Sequence, residues 1–278
     1  MATATEGSGD ATSPKSQQDI LTEQIHEGLS ELRRPWDGLF LSGLSAGLDV
    51  GFGPALMAVM LTLADFSFAN ELTKELLMAS AYTVGFILVV LGRSELFTEH
   101  TTLAVLPVLD RQASVGQLAR LWSVVYAGNI VGAVLFAAFL AVIGPATGVI
   151  EPAAFTEIAT GLVEHPWWVL VGAGVLAGWL MGLLSWLVAA GQESFTRVLF
   201  VFICTSAIAL LHAPHCIAGT VEVVMGVLGG TGVGLGDFAY FLVFSTIGNV
   251  VGGTVFVALL KYGHVARSGP RTERPAGW

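Results

Sequence analysis

The sequence predicts an all-α integral membrane protein with six transmembrane helices in two inverted three-helix repeats, spans 2 and 5 broken. Three observations lead there. Of 278 residues, 54% are hydrophobic and 12% charged, with a mean hydropathy of +0.74; soluble domains carry about 25% charged residues. Two long apolar segments are each interrupted by a polar island, 92–100 and 210–222. A short motif, Gly128-Asn129-Ile130-Val131-Gly132 with Phe136, returns 120 residues later as Gly248-Asn249-Val250-Val251-Gly252 with Phe256.

The same composition narrows function. A formal charge of −9 gives no footing for a nucleic-acid partner. Cys204 and Cys216 both sit inside apolar runs, too few for a disulfide framework and wrongly spaced for zinc. No metal and no cofactor are expected. No apolar core follows a basic start in the first thirty residues, so no cleaved secretory signal is expected.

Taken in order, residues 1–20 are polar and small, a composition that favours a disordered tail. Leu21, Ile25, Leu29 and Leu32 then form a one-sided stripe, and Arg33-Arg34-Pro35-Trp36 follows. This reads as an interfacial amphipathic helix over 21–36. At about 20 apolar residues per crossing, six spans fit at 38–64, 76–109, 118–143, 167–190, 197–228 and 238–261. They make up a domain of residues 37–262, with repeats at 37–143 and 167–262, before a polar tail at 263–278. The second and fifth spans exceed one crossing, and each reads as two half-helices joined by a buried loop.

Lysine and arginine assign the topology. Arg33, Arg34, Arg111, Arg120, Arg197, Lys261, Arg267, Arg271 and Arg274 fall on one set of ends; the other set carries Lys74 among seven acidic residues. The basic ends belong in the cytoplasm, with both termini, and the protein in the cell's inner membrane. Two copies of an odd number of spans must have opposite orientation, and inverted repeats place broken helices at the midplane. The shared small residues Ala46-Gly47 with Gly51 and Ala177-Gly178 with Gly182 support the repeat.

Each island carries ionisable groups at mid-membrane depth, which marks a functional site. In the first lie Arg93, Glu95, Leu96, Phe97, Thr98 and His100; in the second, His212, Pro214, His215 and Glu222. With Glu95 set against His215, the islands are 120 residues apart. Arg93 needs a partner at that depth, and Asp49 in span 1 or Glu95 is the expected one.

Arg93-Ser94-Glu95-Leu96-Phe97-Thr98, Gly116-Gln117-Leu118-Ala119, Tyr126-Ala127-Gly128-Asn129 and His215-Cys216-Ile217-Ala218 together resemble the formate/nitrite transporter family, over roughly residues 25–262. The resemblance implies an aquaporin-like fold, a homopentamer with one pore per subunit, and passage of small monovalent anions such as formate or nitrite, with or without a proton. It implies Leu96 and Ile208 as apolar constrictions, and Thr98 beside a central His215. Three positions depart from the family pattern: Pro214 stands where an acidic residue is common, Gly219 where an asparagine is common, and Arg93 where the residue is usually small.

Each residue has a plainer reading as well. His215 can give a hydrogen bond or a proton to an anion, or bond a carbonyl and support its loop. Phe97 is a further gate candidate or ordinary packing. Thr98 can donate to the anion or cap a half-helix whose N–H groups attract anions. Glu222, seven residues past His215, is expected to rim the outer vestibule and oppose anions. Asn129 and Asn249 are expected to hold carbonyls freed by the breaks. Two other functions fit parts of the pattern. A neutral-solute channel lacks its paired Asn-Pro-Ala signature here. A serine protease using Ser45 of Gly43-Leu44-Ser45-Ala46-Gly47 with His215 would need that motif on a strand-to-helix turn, and it falls inside a helical span.

Overall fold

The structure, a computed structural model, describes residues 14–65, 67–230 and 232–268. Among them every regular element is helical. The first, α1 (Gln17–Arg33), starts four residues before the expected Leu21, inside the stretch read as a disordered tail. A capping box sets that start: Ser16 Oγ accepts from the Asp19 amide, and the Asp19 carboxylate accepts from the Ser16 amide. Its stripe of Ile20, Leu21, Ile25, Leu29 and Leu32 is buried against other helices of the same chain. The remainder of the expected tail, residues 1–13, lies outside the described residues.

The first repeat runs through α2 (Trp36–Val50), α3 (Phe52–Leu63), α4 (Glu71–Gly92), α5 (Phe97–Leu103), the short α6 (Leu106–Leu109) and α7 (Val115–Ala146). An unforeseen α8 (Pro152–Val163) precedes the second repeat, which comprises α9 (Trp167–Ala190), α10 (Ser194–Leu210), α11 (Ala218–Leu228) and α12 (Leu235–Val251). A π-helix (Gly252–Leu259) and α13 (Leu260–Arg267) continue α12, so helix extends beyond the expected end of the domain at 262. Residues 269–278 of the expected tail fall outside the description.

Five stretches are long and apolar enough to cross a bilayer: Trp36–Leu63, Glu71–Gly92, Val115–Ala146, Trp167–Ala190 and Leu235–Arg267. The expected fifth span, 197–228, is divided between two shorter apolar helices, α10 and α11, neither long enough alone. The first span bends at Gly51, where α2 hands over to α3, because Pro54 has no N–H to return to Val50.

Two pairings frame the molecule, α2 with α7 and α9 with α12. Both depend on the small residues of the repeat. A Cβ on Gly47 would strike the Asn129 carbonyl, and one on Gly178 would strike the Asn249 carbonyl. Small residues let helix backbones approach this closely where no hydrophobic effect drives association. In the last span the π-helix turns the Gly253 carbonyl outward, and Thr102 Oγ1 of α5 donates to it at 2.9 Å; Thr254 Oγ1 donates to the Thr101 carbonyl at the same distance.

α1 lies across the ends of α5, α6, α9 and α13, which defines one face of the molecule. Arg120 Nη2 donates to the Leu32 carbonyl (2.7 Å) and the Arg34 carbonyl (3.1 Å), tying the last turn of α1 to α7. On the opposite face α8 packs against α11, with Glu157 paired to Lys74 of α4 at 2.6 Å.

Candidate functional site

The site grows from the two breaks. α4 stops at Gly92 because Arg93 takes a left-handed conformation (φ 56°), with its amide on the Val90 carbonyl and the Ser94 amide on Val89. α10 stops at Leu210 in the same way. His212 is left-handed (φ 47°), its amide is on Ala209, and the Ala213 amide is on Ile208. These partners correspond at a spacing of 119 residues, so Leu96, and not Glu95, occupies the position of His215. The expected register of 120 came from the Gly-Asn motif and is one residue too long at the breaks.

Each break is held by an asparagine from the neighbouring span. The Phe97 amide donates to Asn129 Oδ1 (2.8 Å), and Asn129 Nδ2 donates to the carbonyls of Gly43 (2.7 Å) and Glu95 (2.8 Å). In the second repeat the Cys216 amide donates to Asn249 Oδ1 (2.9 Å), and Asn249 Nδ2 donates to the carbonyls of Gly174 and Pro214, both at 2.9 Å. Both amides are fully buried and satisfy three backbone groups each. Broken backbone inside a membrane needs such partners.

The breaks meet through Thr98 and His215, whose Oγ1 and Nε2 lie 2.8 Å apart. Both residues are buried, His215 at 1% exposure. The Ile217 and Ala218 amides donate to His215 Nδ1 at 3.3 and 3.2 Å. A nitrogen facing two N–H groups is an acceptor, which assigns the ring proton to Nε2. Nε2–H therefore donates to Thr98 Oγ1 and leaves the threonine hydroxyl proton free to donate elsewhere. Phe86 fixes the imidazole edge-on, with ring centroids 5.0 Å apart.

Two cavities approach this bond from opposite faces and share no lining residue. The one beneath α1, about 710 Å³, is lined by Glu27, Glu31, Arg34, Arg93, Glu95 and Arg197 among others. Burial, and then repulsion by Glu95, push the Glu27 and Glu31 carboxyls above their usual range. The other, about 210 Å³, is lined by Tyr82, Ile208, His215 and Glu222, with Lys74, Glu75, Glu157 and His212 toward its mouth.

Several expected roles land differently. Arg93 does not pair with Asp49 or Glu95. Among the described residues it makes no ion pair, because its left-handed backbone carries the exposed side chain to the α1-face cavity. Glu95 is bound instead by Arg34 Nη1 at 2.6 Å and by His100 Nε2 at 2.6 Å. Asp49 accepts from Ser45 Oγ (3.1 Å) and Ser94 Oγ (3.3 Å). Phe97 packs between Trp122 and Tyr126, at ring separations of 5.8 and 4.8 Å, and lines neither cavity. Leu96 and Thr98 also line neither; both are fully buried where the first break meets the second. Ile208 and Glu222 both border the opposite-face cavity. Ser45, on α2, bonds Asp49, while His215 is engaged by Thr98, so the serine–histidine pair of the protease alternative is not assembled.

The sequence reading gave Arg34, Tyr82 and Phe86 no part in the site, and it placed His100 in the first island without naming Glu95 as its partner. The stripe of α1 placed Arg34 at a helix end, yet nothing local tied it to Glu95, 61 residues away. Tyr82 and Phe86, four residues apart on α4, read as ordinary span residues.

Inverted repeats whose broken helices are pinned by twin asparagines and meet at a buried histidine define a helical membrane channel or transporter. The sequence model of the formate/nitrite transporter family matches residues 18–263, and the chain belongs to that family. It is 32% identical over 252 residues to the inner membrane protein YfdC of Escherichia coli K12, covering 87% of this chain and 78% of that one. It is 28% identical over 241 residues to the nitrite transporter NirC of Salmonella typhimurium, covering 86% of each. A solved pentameric formate channel with formate bound superposes with a TM-score of 0.70 at 23% identity, covering 84% of this chain and 98% of that one.

Proposed function

We propose that the protein passes small monovalent anions of weak acids, formate or nitrite foremost, across the inner membrane through one pore in each subunit of a homopentamer. The α1 face is cytoplasmic in this reading, from the arginines that collect at its helix ends. The observation that carries the proposal is the Thr98–His215 pair between two opposed cavities. A bare anion in a dry passage faces a desolvation cost of several kcal/mol even after relaxation. His215 Nε2–H directs the Thr98 hydroxyl so that its own proton faces an incoming anion, and a hydrogen bond to a charged group restores about 1.5–3 kcal/mol. Leu96 on one side and Ile208 on the other serve as apolar constrictions, which obstruct hydrated ions by dewetting.

The test is flux in proteoliposomes for formate, nitrite, acetate, hydrosulfide and chloride. Thr98→Val removes the donor, and His215→Asn removes the group that orients it. Each is expected to slow formate and nitrite about ten- to a hundredfold, the equivalent of one charge-assisted hydrogen bond. Wild-type rates in both variants for every transported species would defeat the mechanism.

A further inference from the structure

Glu222 projects from α11 into the same small cavity that His215 lines, and is only 6% exposed. No cation pairs with it among the described residues, and the groups around it explain why. From α4, Lys74 is taken by Glu157 of α8 at 2.6 Å. Glu75, also on α4, faces His212 Nε2 at 3.4 Å, and His212 is 71% exposed at the mouth. His215 Nε2 is engaged by Thr98, and Nδ1 by two amides. α3, packed on the other side of α11, has no ionisable side chain, and α7 and α12 place none in the cavity. The remaining polar group is Tyr82 of α4. Tyr82 and Glu222 both border the cavity.

A fixed charge buried this way, in an anion's path, would cost stability and also repel the cargo. A carboxyl that exchanges its proton does neither. We propose that Glu222 is the proton-exchanging acid of the passage, delivering a proton to the weak-acid anion in the cavity next to His215, with Tyr82 as its hydrogen-bonding neighbour. This rests on the anion-passage reading and names the proton source it leaves open. The step balances as follows. The carboxyl O–H breaks, an O–H forms on the anion to give the neutral acid, and the Glu222 carboxylate then takes a proton from water on the opposite face. The residue preceding the histidine here is Pro214, which has no side chain able to do this.

The experiment uses the full-length protein in proteoliposomes, with formate as probe and protein-free liposomes as baseline. Wild type, Glu222→Gln and Glu222→Asp are compared as the external pH is raised. Glutamine keeps the shape and a donor but cannot exchange a proton. Its flux is expected to follow bulk formic acid alone, falling about tenfold per pH unit above the acid's own pKa. Wild type and Glu222→Asp fall less steeply, because the cavity supplies the proton. A merely structural role would lower flux equally at every pH, and an unchanged slope in Glu222→Gln overturns the proposal. So does faster flux at all pH, the mark of a repelling charge. A second measurement needs no variant: dicyclohexylcarbodiimide, an apolar reagent for protonated carboxyls, is expected to label Glu222 in wild type, slowed severalfold by formate. An anion-conducting protein left unlabelled at Glu222 also overturns it. If wild type moves no formate above baseline, the anion-passage reading itself fails and this proposal falls with it.

Discussion

At the first break the chain leaves α4 and crosses to α5 through Arg93, Ser94, Glu95 and Leu96; at the second it leaves α10 and reaches α11 through residues 211–217, in which left-handed His212 is followed by Ala213, Pro214 and His215. The backbones of the breaks correspond at 119, down to the left-handed residue, and each break is gathered by an asparagine, the two 120 apart, that takes two carbonyls and an amide. The side chains do not correspond. Where one repeat has an apolar leucine, the other has an imidazole. Glu95 is clamped by Arg34 and His100, while its counterpart Pro214 is stiff by covalent structure. His100 is matched by Gly219, whose missing side chain leaves room for the ring of Phe241. The repeat therefore duplicates a way of breaking a helix and leaves each copy free to differ in chemistry.

The largest effect expected from that comparison lies in the shared scaffold. Asn129→Ala and Asn249→Ala each strand three buried backbone groups at about 1–3 kcal/mol apiece, on the order of 5 kcal/mol in total. Thermal unfolding of the detergent-purified assembly should show losses of similar size for both. A large loss in only one would break the equivalence.

A smaller effect separates the two halves. Gly219→Ala puts a methyl group into the Phe241 ring and should cost about 1–3 kcal/mol through overpacking. Phe241→Leu in the same chain should recover most of it. His100→Ala, at the matching position of the first repeat, meets no such crowding and instead releases Glu95. An unfolding midpoint for Gly219→Ala equal to wild type would show that the aromatic ring yields freely.

The smallest effect concerns α1, a helix outside both repeats that lies over the ends of α5, α6, α9 and α13. The folded Glu27 and Glu31 carboxyls are raised, by burial first and Glu95 second, from an ordinary value of 4.5. A raised folded value means that docking is strongest below the unfolded value and weakens as pH climbs through the folded one. Amide hydrogen exchange in α1, corrected for its intrinsic pH dependence, should therefore show more opening as pH rises above about 4.5. Glu27→Gln with Glu31→Gln should flatten that trend. Exchange in α11, on the opposite face, should not follow it.

How much was legible follows the range of each interaction. The spans, both breaks and the paired asparagines could be read because apolar length, helix-breaking residues and a repeated motif are local signals. The register of the breaks was missed by one residue because the islands share almost no residue types, and left-handed Arg93 and His212 are not glycines. α8 was missed because its twelve residues carry too short a stripe to stand out between two spans. Depth and proximity along the chain pointed to Asp49 or Glu95 as the partner of Arg93; Ser45 and Ser94 bind Asp49, and Arg34 reaches Glu95 from the end of α1 instead.

The sequence alone determined a membrane-embedded inverted repeat with a histidine at one break, because hydrophobic length and helix termination are properties of short segments. Only the tertiary structure decided that His215 meets Thr98, that its proton sits on Nε2, that Arg34 holds Glu95, and that Glu222 stands unpaired in the cavity. Those are facts about which distant groups share a low-dielectric space. Hydrogen bonds and charge pairing act through that space over a few ångströms, whatever the separation along the chain.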